Sequence, residues 1–146
     1  MKTTLLKPIM LIEDNPMDID ISIQAFEEAG INNPVLVCRD GEEALQTINK
    51  LRDKESISFP ALVILDLHLT KIDGVELLKI IRRDEVWENI PVIICSTSGN
   101  KSDIENAYKA GANAYLMKPA DFDEFVESAA LLRQFWLTKN KSPYNI

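Results

Sequence analysis

A parallel, doubly wound α/β sheet of five strands flanked by five helices is the fold this sequence predicts, and three observations predict it. Four short runs, residues 8–12, 61–65, 92–95 and 114–117, are apolar throughout rather than alternating, as strands buried on both faces are. Between them apolar residues recur at helical spacing, so strand and helix signals alternate along almost the whole chain. Each of the four runs also stops at polar residues able to handle phosphate or metal: Glu13 and Asp14, then Asp66, then Ser96 and Thr97, then Lys118. Open α/β sheets hold ligands beyond the carboxyl ends of their strands, so these residues are expected to converge at one edge.

The elements follow in order. After the first strand, Asn15 and Pro16 offer an N-cap and a proline at the first helical position, and Gly30 can close a helix over 16–29. Ile19, Ile21 and Ile23 alternate as in a strand, but Ile19, Ile23 and Phe26 keep helical spacing and the capping signals decide for helix. Residues 34–38 read as the second strand. Asp40 and Gly41 start a second helix through Ala44, Leu45, Ile48 and Leu51, and the charged stretch 52–56 leads as a surface loop to the third strand. Asp73 can cap a helix over 74–83 that turns Leu77, Leu78 and Ile81 to the sheet, and Pro91 opens the fourth strand. Ser102 and Glu105 resemble a capping box for a helix ending near Gly111. The fifth strand, 114–117, precedes a last helix capped by Asp121 and running from about 122 to 137.

Composition narrows the function. With 146 residues, 46% hydrophobic and 27% charged, the chain suits one globular domain without disulfide or structural metal. A net charge of −7 argues against nonspecific nucleic-acid binding, which draws on cations that displace phosphate counterions. No run is long enough to span a membrane, and the first seven residues lack the pattern of an export signal, so a cytoplasmic location is expected. Cys38 and Cys95 fall in strands that a 2-1-3-4-5 order would separate by roughly 14 Å, too far for a disulfide. Both read as core thiols.

The strand ends carry the chemistry. Three converging carboxylates, Glu13, Asp14 and Asp66, would repel one another by about 1 kcal/mol per pair at 4 Å even in bulk water. A hard divalent cation neutralises such a set, and Mg²⁺, with Mn²⁺ as an alternative, keeps waters and accepts phosphate oxygens while bound by one or two carboxylates. Lys118 adds a second positive centre, and phosphoryl transfer is largely positioning and charge stabilisation.

On these residues the chain resembles a bacterial response-regulator receiver domain over positions 8 to about 137. Glu13, Asp14 and Asn15 match its acidic pair, Ile64 to Leu67 its phosphoacceptor strand, Ser96, Thr97, Ser98, Lys118 and Pro119 its switch positions, and 111–115 the segment before the lysine. The resemblance implies a flavodoxin-like sheet of order 2-1-3-4-5. It implies that Asp66 attacks the phosphohistidine of a sensor histidine kinase, that Asp14 and Asp66 bind Mg²⁺ directly and Glu13 mainly through water, and that the backbone carbonyl of His68 is a further ligand. Ser96 and Lys118 would hold phosphoryl oxygens, Tyr115 would turn inward as Ser96 moves, and the bond between Lys118 and Pro119 would be cis. Thr97 stands where the family usually has a small residue, and the ring of His68 would overhang the phosphoryl site, so both are expected to control access of water.

Residues 132–137 resemble the end of the stand-alone regulators of phytochrome-type sensor kinases, which implies a homodimer through the last strand and helix, with Phe135, Trp136 and Leu137 at the interface. The chain after Lys118 has room for one helix and a short tail, so a single domain without an output domain is expected, signalling through its own surface. Two rivals stand beside this reading. A haloacid-dehalogenase-type phosphatase would use a D-x-D-x-T pattern that residues 66–70 almost fit, but His68 occupies the second acid's place. A noncatalytic receiver-like interaction module would have no need of the acids and the lysine.

Overall fold

In the computed structural model, which describes residues 5–144, the five strands are β1 (Ile9–Ile12), β2 (Val35–Cys38), β3 (Leu62–Leu65), β4 (Val92–Ser96) and β5 (Ala114–Met117). They form one sheet in the order β2-β1-β3-β4-β5, every pair parallel. The helices are α1 (Pro16–Glu28), α2 (Gly41–Lys50), α3 (Gly74–Arg83), α4 (Lys101–Ala110) and α5 (Phe122–Gln134).

Successive strand residues point to opposite faces, and here each face is covered. Met10, Ile12, Val63, Leu65, Val92 and Ile94 pack under α2, α3 and α4. Ile9, Leu11, Leu62, Ile64, Ile93 and Cys95 pack against α1 and α5. That double burial is why the strands carry no polar alternation. Cys38 and Cys95 are free, buried thiols, and burial raises both pKa values, that of Cys95 to about 12.

Register brings the polar strand ends together. Ile12 pairs with both Cys38 and Leu65, so β1, β2 and β3 finish level. The ladder runs one step further: the Glu13 amide donates to the Cys38 carbonyl, the Asp66 amide to that of Ile12, and the Lys118 amide to that of Ser96. One edge therefore carries Glu13, Asp66, Ser96 and Lys118 on adjacent strands.

Most caps follow the expected chemistry. Asn15 Oδ1 accepts the Met17 amide at 2.9 Å, Asp40 Oδ1 that of Glu43 at 2.7 Å and Asp121 Oδ1 that of Glu124 at 2.9 Å. Asp73 occupies the N-cap position of α3 without a side-chain bond. The helix α4 starts earlier than Ser102 and Glu105 suggest. Asn100 is its cap, accepting the Ser102 amide at 2.8 Å, so Ser102 lies inside the first turn and no capping box forms. The last helix is also shorter than expected: α5 ends at Gln134, and residues 135–139 form a π-helical turn closed by the Asn140 amide on the Phe135 carbonyl.

The expected cis bond is not present: among the described residues every peptide bond is trans, that between Lys118 and Pro119 included. X-Pro bonds intrinsically prefer trans by about 0.5–1 kcal/mol, and Lys118 reaches the acids in that form. A second difference lies at the opposite end of the sheet. Tyr144 is buried, its ring stacked on Phe59 at 5.4 Å, and Phe59 meets Trp87 at 4.5 Å. The Tyr144 hydroxyl accepts the Asn89 amide at 2.9 Å, and buried Lys7 donates to the Tyr144 and Lys54 carbonyls. Tyr144, in the segment read as a short tail, thus joins the core, while Thr138, Lys139, Lys141 and Pro143 stay exposed. Among the described residues no helix is long and apolar enough to cross a membrane.

Candidate active site

Beyond the ends of β1 and β3, ligand oxygens of Glu13, Asp14 and Asp66 lie within 4.8 Å of one another. The pairing register sets Glu13 beside Asp66, and Asp14 follows where the chain turns into α1. Asp66 is 6% exposed; its Oδ1 accepts the His68 amide at 3.2 Å, and its Oδ2 receives Lys118 Nζ at 3.2 Å. The next helix is pressed against this strand exit. A Cβ on Gly74 would lie 2.5 Å from the Asp66 carbonyl oxygen and 2.6 Å from Leu67 Cα, so the close approach needs glycine.

Glu13 is almost wholly buried. Its Oε1 accepts the Asn15 amide at 3.1 Å and its Oε2 meets Lys118 Nζ at 2.9 Å. Burial and the neighbouring Asp66 outweigh the lysine, and the Glu13 carboxyl is pushed up to about 7. Burial works the other way on Lys118, but Glu13, Asp18 and Asp66 more than offset it, so the ammonium is held more firmly than usual. Three acids crowded at one edge with a single ammonium between them are hard oxygen donors with charge to spare, the donor set that suits Mg²⁺ or Mn²⁺.

Ser96 ends β4 at the same edge of the sheet. It is fully buried, and its Oγ accepts the Ser98 amide at 3.2 Å; among the described residues its hydroxyl proton has no acceptor. The Ser98 carbonyl receives the Tyr115 hydroxyl at 2.8 Å, and Ser98 Oγ donates to Asp103 Oδ2 at 2.6 Å. Tyr115 is half-buried, while Thr97 and His68 are exposed. The structure thus gathers Glu13, Asp14, Asp66 and Lys118 in one cluster and joins Ser96 to Tyr115 through Ser98.

Asp18 is the residue that sequence reasoning missed. Its Oδ2 lies 2.9 Å from Lys118 Nζ, although in sequence it is merely an acid in a helix's first turn. The available signal was position: the first turn of α1 stands over the end of β1.

At the other end of α5, the three residues expected at an interface separate. Trp136 and Leu137 pack partly against the core under α1 and α5. Phe135, 52% exposed, and Leu131, 66% exposed, face outward.

The chain is similar to known proteins in sequence and in fold. The regulatory protein FilR2 of Methanothrix harundinacea is 36% identical over 135 residues, 92% of this chain and 86% of that protein. A crystal structure of the phosphorylated cyanobacterial phytochrome response regulator RcpA superposes with a TM-score of 0.84 at 34% identity, covering 94% of this chain and 99% of that one. The Mn²⁺-bound form of the response regulator Rcp1, a protein of Synechocystis sp., superposes with a TM-score of 0.81 at 29% identity over the same shares. Residues 9–130 match the family described as the response regulator receiver domain, and with that match, the 2-1-3-4-5 sheet and the acid cluster beside a half-buried lysine, the chain belongs to the receiver domains of two-component response regulators.

Proposed function

We propose that this chain is a phosphorylation-driven switch in which Asp66 accepts a phosphoryl group from a sensor histidine kinase, in a reaction that depends on Mg²⁺. The observation that carries the reading is the pairing of buried Asp66 with the Lys118 ammonium beside a cluster of three carboxylates. Asp14, Asp66 and the His68 backbone carbonyl would hold the cation directly and Glu13 mainly through water. When bound, Mg²⁺ supplies charge neutralisation for the acids and the incoming phosphoryl oxygens.

An Asp66 carboxylate oxygen forms the new bond to phosphorus as the bond from phosphorus to the histidine nitrogen breaks. The leaving imidazole keeps the electron pair and takes a proton, and Asp66 becomes an acyl phosphate. Lys118 pairs with one phosphoryl oxygen, and the free Ser96 hydroxyl donates to another. The turn of Ser96 toward the phosphate then alters Ser98 and, through it, Tyr115. Thr97 and His68 set the approach of water.

Incubation with acetyl phosphate and Mg²⁺ should label the wild type at Asp66, detected by mass spectrometry, and leave Asp66→Asn unlabelled. Equal labelling of the two would overturn the reading. Phytochrome-type kinases are the partners that RcpA, a phytochrome response regulator, suggests, and phosphotransfer against such a kinase tests that choice. The outward-facing Phe135 and Leu131 support a homodimer through the α5 region. Because Trp136 packs on its own domain, the suitable probe is Phe135→Glu, which should sediment as a monomer where the wild type sediments as a dimer.

A further inference from the structure

We propose that Asp18 is a positioning residue of the phosphorylation reaction: it holds the Lys118 ammonium in place while the other two partners of that ammonium are taken up by metal and phosphate. The proposal rests on the reading of Asp66 as phosphoacceptor.

A lysine ammonium has three N–H donors and no acceptor, and here three carboxylates stand around it. Lys118 Nζ lies 2.9 Å from Glu13 Oε2, 2.9 Å from Asp18 Oδ2 and 3.2 Å from Asp66 Oδ2. Two of these acids, Glu13 and Asp66, belong to the cluster whose oxygens lie within 4.8 Å of one another, and Asp18 does not. A divalent cation in that cluster would draw on the lone pairs of Glu13 and Asp66 and repel the ammonium. Asp18 alone would keep a full charge for Lys118.

The burial of the two side chains fits this role. Lys118 is 12% exposed and Asp18 29%, so Asp18 stands on the solvent side of the nitrogen and covers it. A lysine stem is flexible, and its ammonium is strongly hydrated. Without Asp18, the route by which Lys118 could swing into water as metal binds is open. With Asp18 in place, the ammonium keeps one fixed bond and turns a free N–H toward the phosphoryl oxygen. Asn15 Oδ1 fixes Asp18 in turn, because the first turn of α1 that carries it is capped there on the Met17 and Asp18 amides.

A plain structural role for Asp18 also has a physical basis, since an acid in a helix's first turn complements the helix dipole. That role affects stability and leaves the rate of phosphorylation unchanged. The two roles separate in the rate of labelling by acetyl phosphate at saturating Mg²⁺, with the thermal midpoint of each variant measured alongside.

Asp18→Ala should label about tenfold more slowly than wild type, as misplacement of a charge-stabilising group does. Asp18→Asn, which keeps an acceptor oxygen but not the charge, should label at a rate between those of Asp18→Ala and wild type. In a Lys118→Met background Asp18→Ala should have no further effect, because residues acting through one contact are not additive. Labelling of Asp18→Ala at the wild-type rate, or an equal slowing in the Lys118→Met background, would overturn the role of Asp18 and leave Asp66 as the acceptor. A wild type that does not label at Asp66 would overturn the underlying reading and this proposal together.

Discussion

Raising the pH from about 5.5 to 8 should strengthen Mg²⁺ binding by up to tenfold per unit and then level off above about 7, because the proposed cation site draws on Glu13 in its ionised form. In the metal-free protein Glu13 is held near pKa 7 by burial and by Asp66, against an ordinary value of 4.5. At pH 6 only about one molecule in ten then carries the Glu13 charge, and at pH 8 about nine in ten do. The dependence reaches its full slope where Glu13 is a direct ligand and is shallower where water intervenes. Stability runs in the opposite sense. The folded state binds more protons than the unfolded chain between pH 4.5 and about 7, so the metal-free protein loses stability as pH rises through that window, and Mg²⁺ should restore it. Removing the lysine provides an internal check. Lys118 lowers the Glu13 pKa by hydrogen bond and by charge, so Lys118→Met should move the midpoint of the affinity curve to higher pH. Isothermal titration calorimetry in buffers of different ionisation enthalpy reads both affinity and protons released. A Mg²⁺ affinity that is flat across this range, or a midpoint that falls in Lys118→Met, would refute the reasoning.

Three further outcomes follow from the packing. Tyr144→Ala should cost about 3 kcal/mol, the usual scale for removing a buried aromatic ring, read as a lower urea midpoint at unchanged slope, and should leave labelling of Asp66 intact because Tyr144 packs at the opposite end of the sheet. Gly74→Ala should destabilise by about 1–3 kcal/mol through overpacking and also slow labelling, since the added methyl meets the backbone of Asp66 and Leu67. Tyr115→Phe removes the donor to the Ser98 carbonyl and should cost about 1 kcal/mol while Asp66 still labels.

The strands, their order and the acid cluster were legible because each rests on a local pattern: a doubly covered strand is apolar at every position, and the polar residue that ends it is adjacent in sequence. What was not legible depends on partners far apart in the chain. Lys118 and Asp18 are separated by 100 residues, and nothing in the first turn of α1 distinguishes an acid that faces a lysine from one that faces water. Tyr144 reaches Asn89 across 55 residues and Lys7 across 137, so a segment with ordinary tail composition supplies a core aromatic. The cap of α4 was misread for a different reason. Asn100 and Ser102 are both good caps, and the one that comes first wins because its side chain already satisfies the Ser102 amide. In the last helix the apolar run continues past Gln134 without a break, so its period could not disclose the change to a π-turn at Phe135.

The bonds around Ser98 also bear on how far phosphorylation can drive the proposed switch. Ser98 is a hub: its amide holds Ser96 Oγ, its carbonyl receives Tyr115, and its hydroxyl reaches Asp103 in α4. In the proposed switch Ser96 would turn to a phosphoryl oxygen, the Ser98 amide would lose an acceptor, and the loop between β4 and α4 would have reason to move. The two neutral bonds, from the Ser98 amide to Ser96 and from Tyr115 to the Ser98 carbonyl, contribute only about 1 kcal/mol net each, whereas moving a population from 1:99 to 99:1 takes about 5.5 kcal/mol. The relay can therefore transmit the change from Ser96 to Tyr115 but cannot supply its energy. That must come from the charged contacts that form only with phosphate present, the pairing of Lys118 with the phosphoryl group first among them, because charge-assisted bonds in a largely buried site are the stronger class. On the proposed reading, a lysine already in place when the phosphate arrives would deliver that energy without first being ordered, and its contact with Asp18 would then serve the switch as well as the reaction.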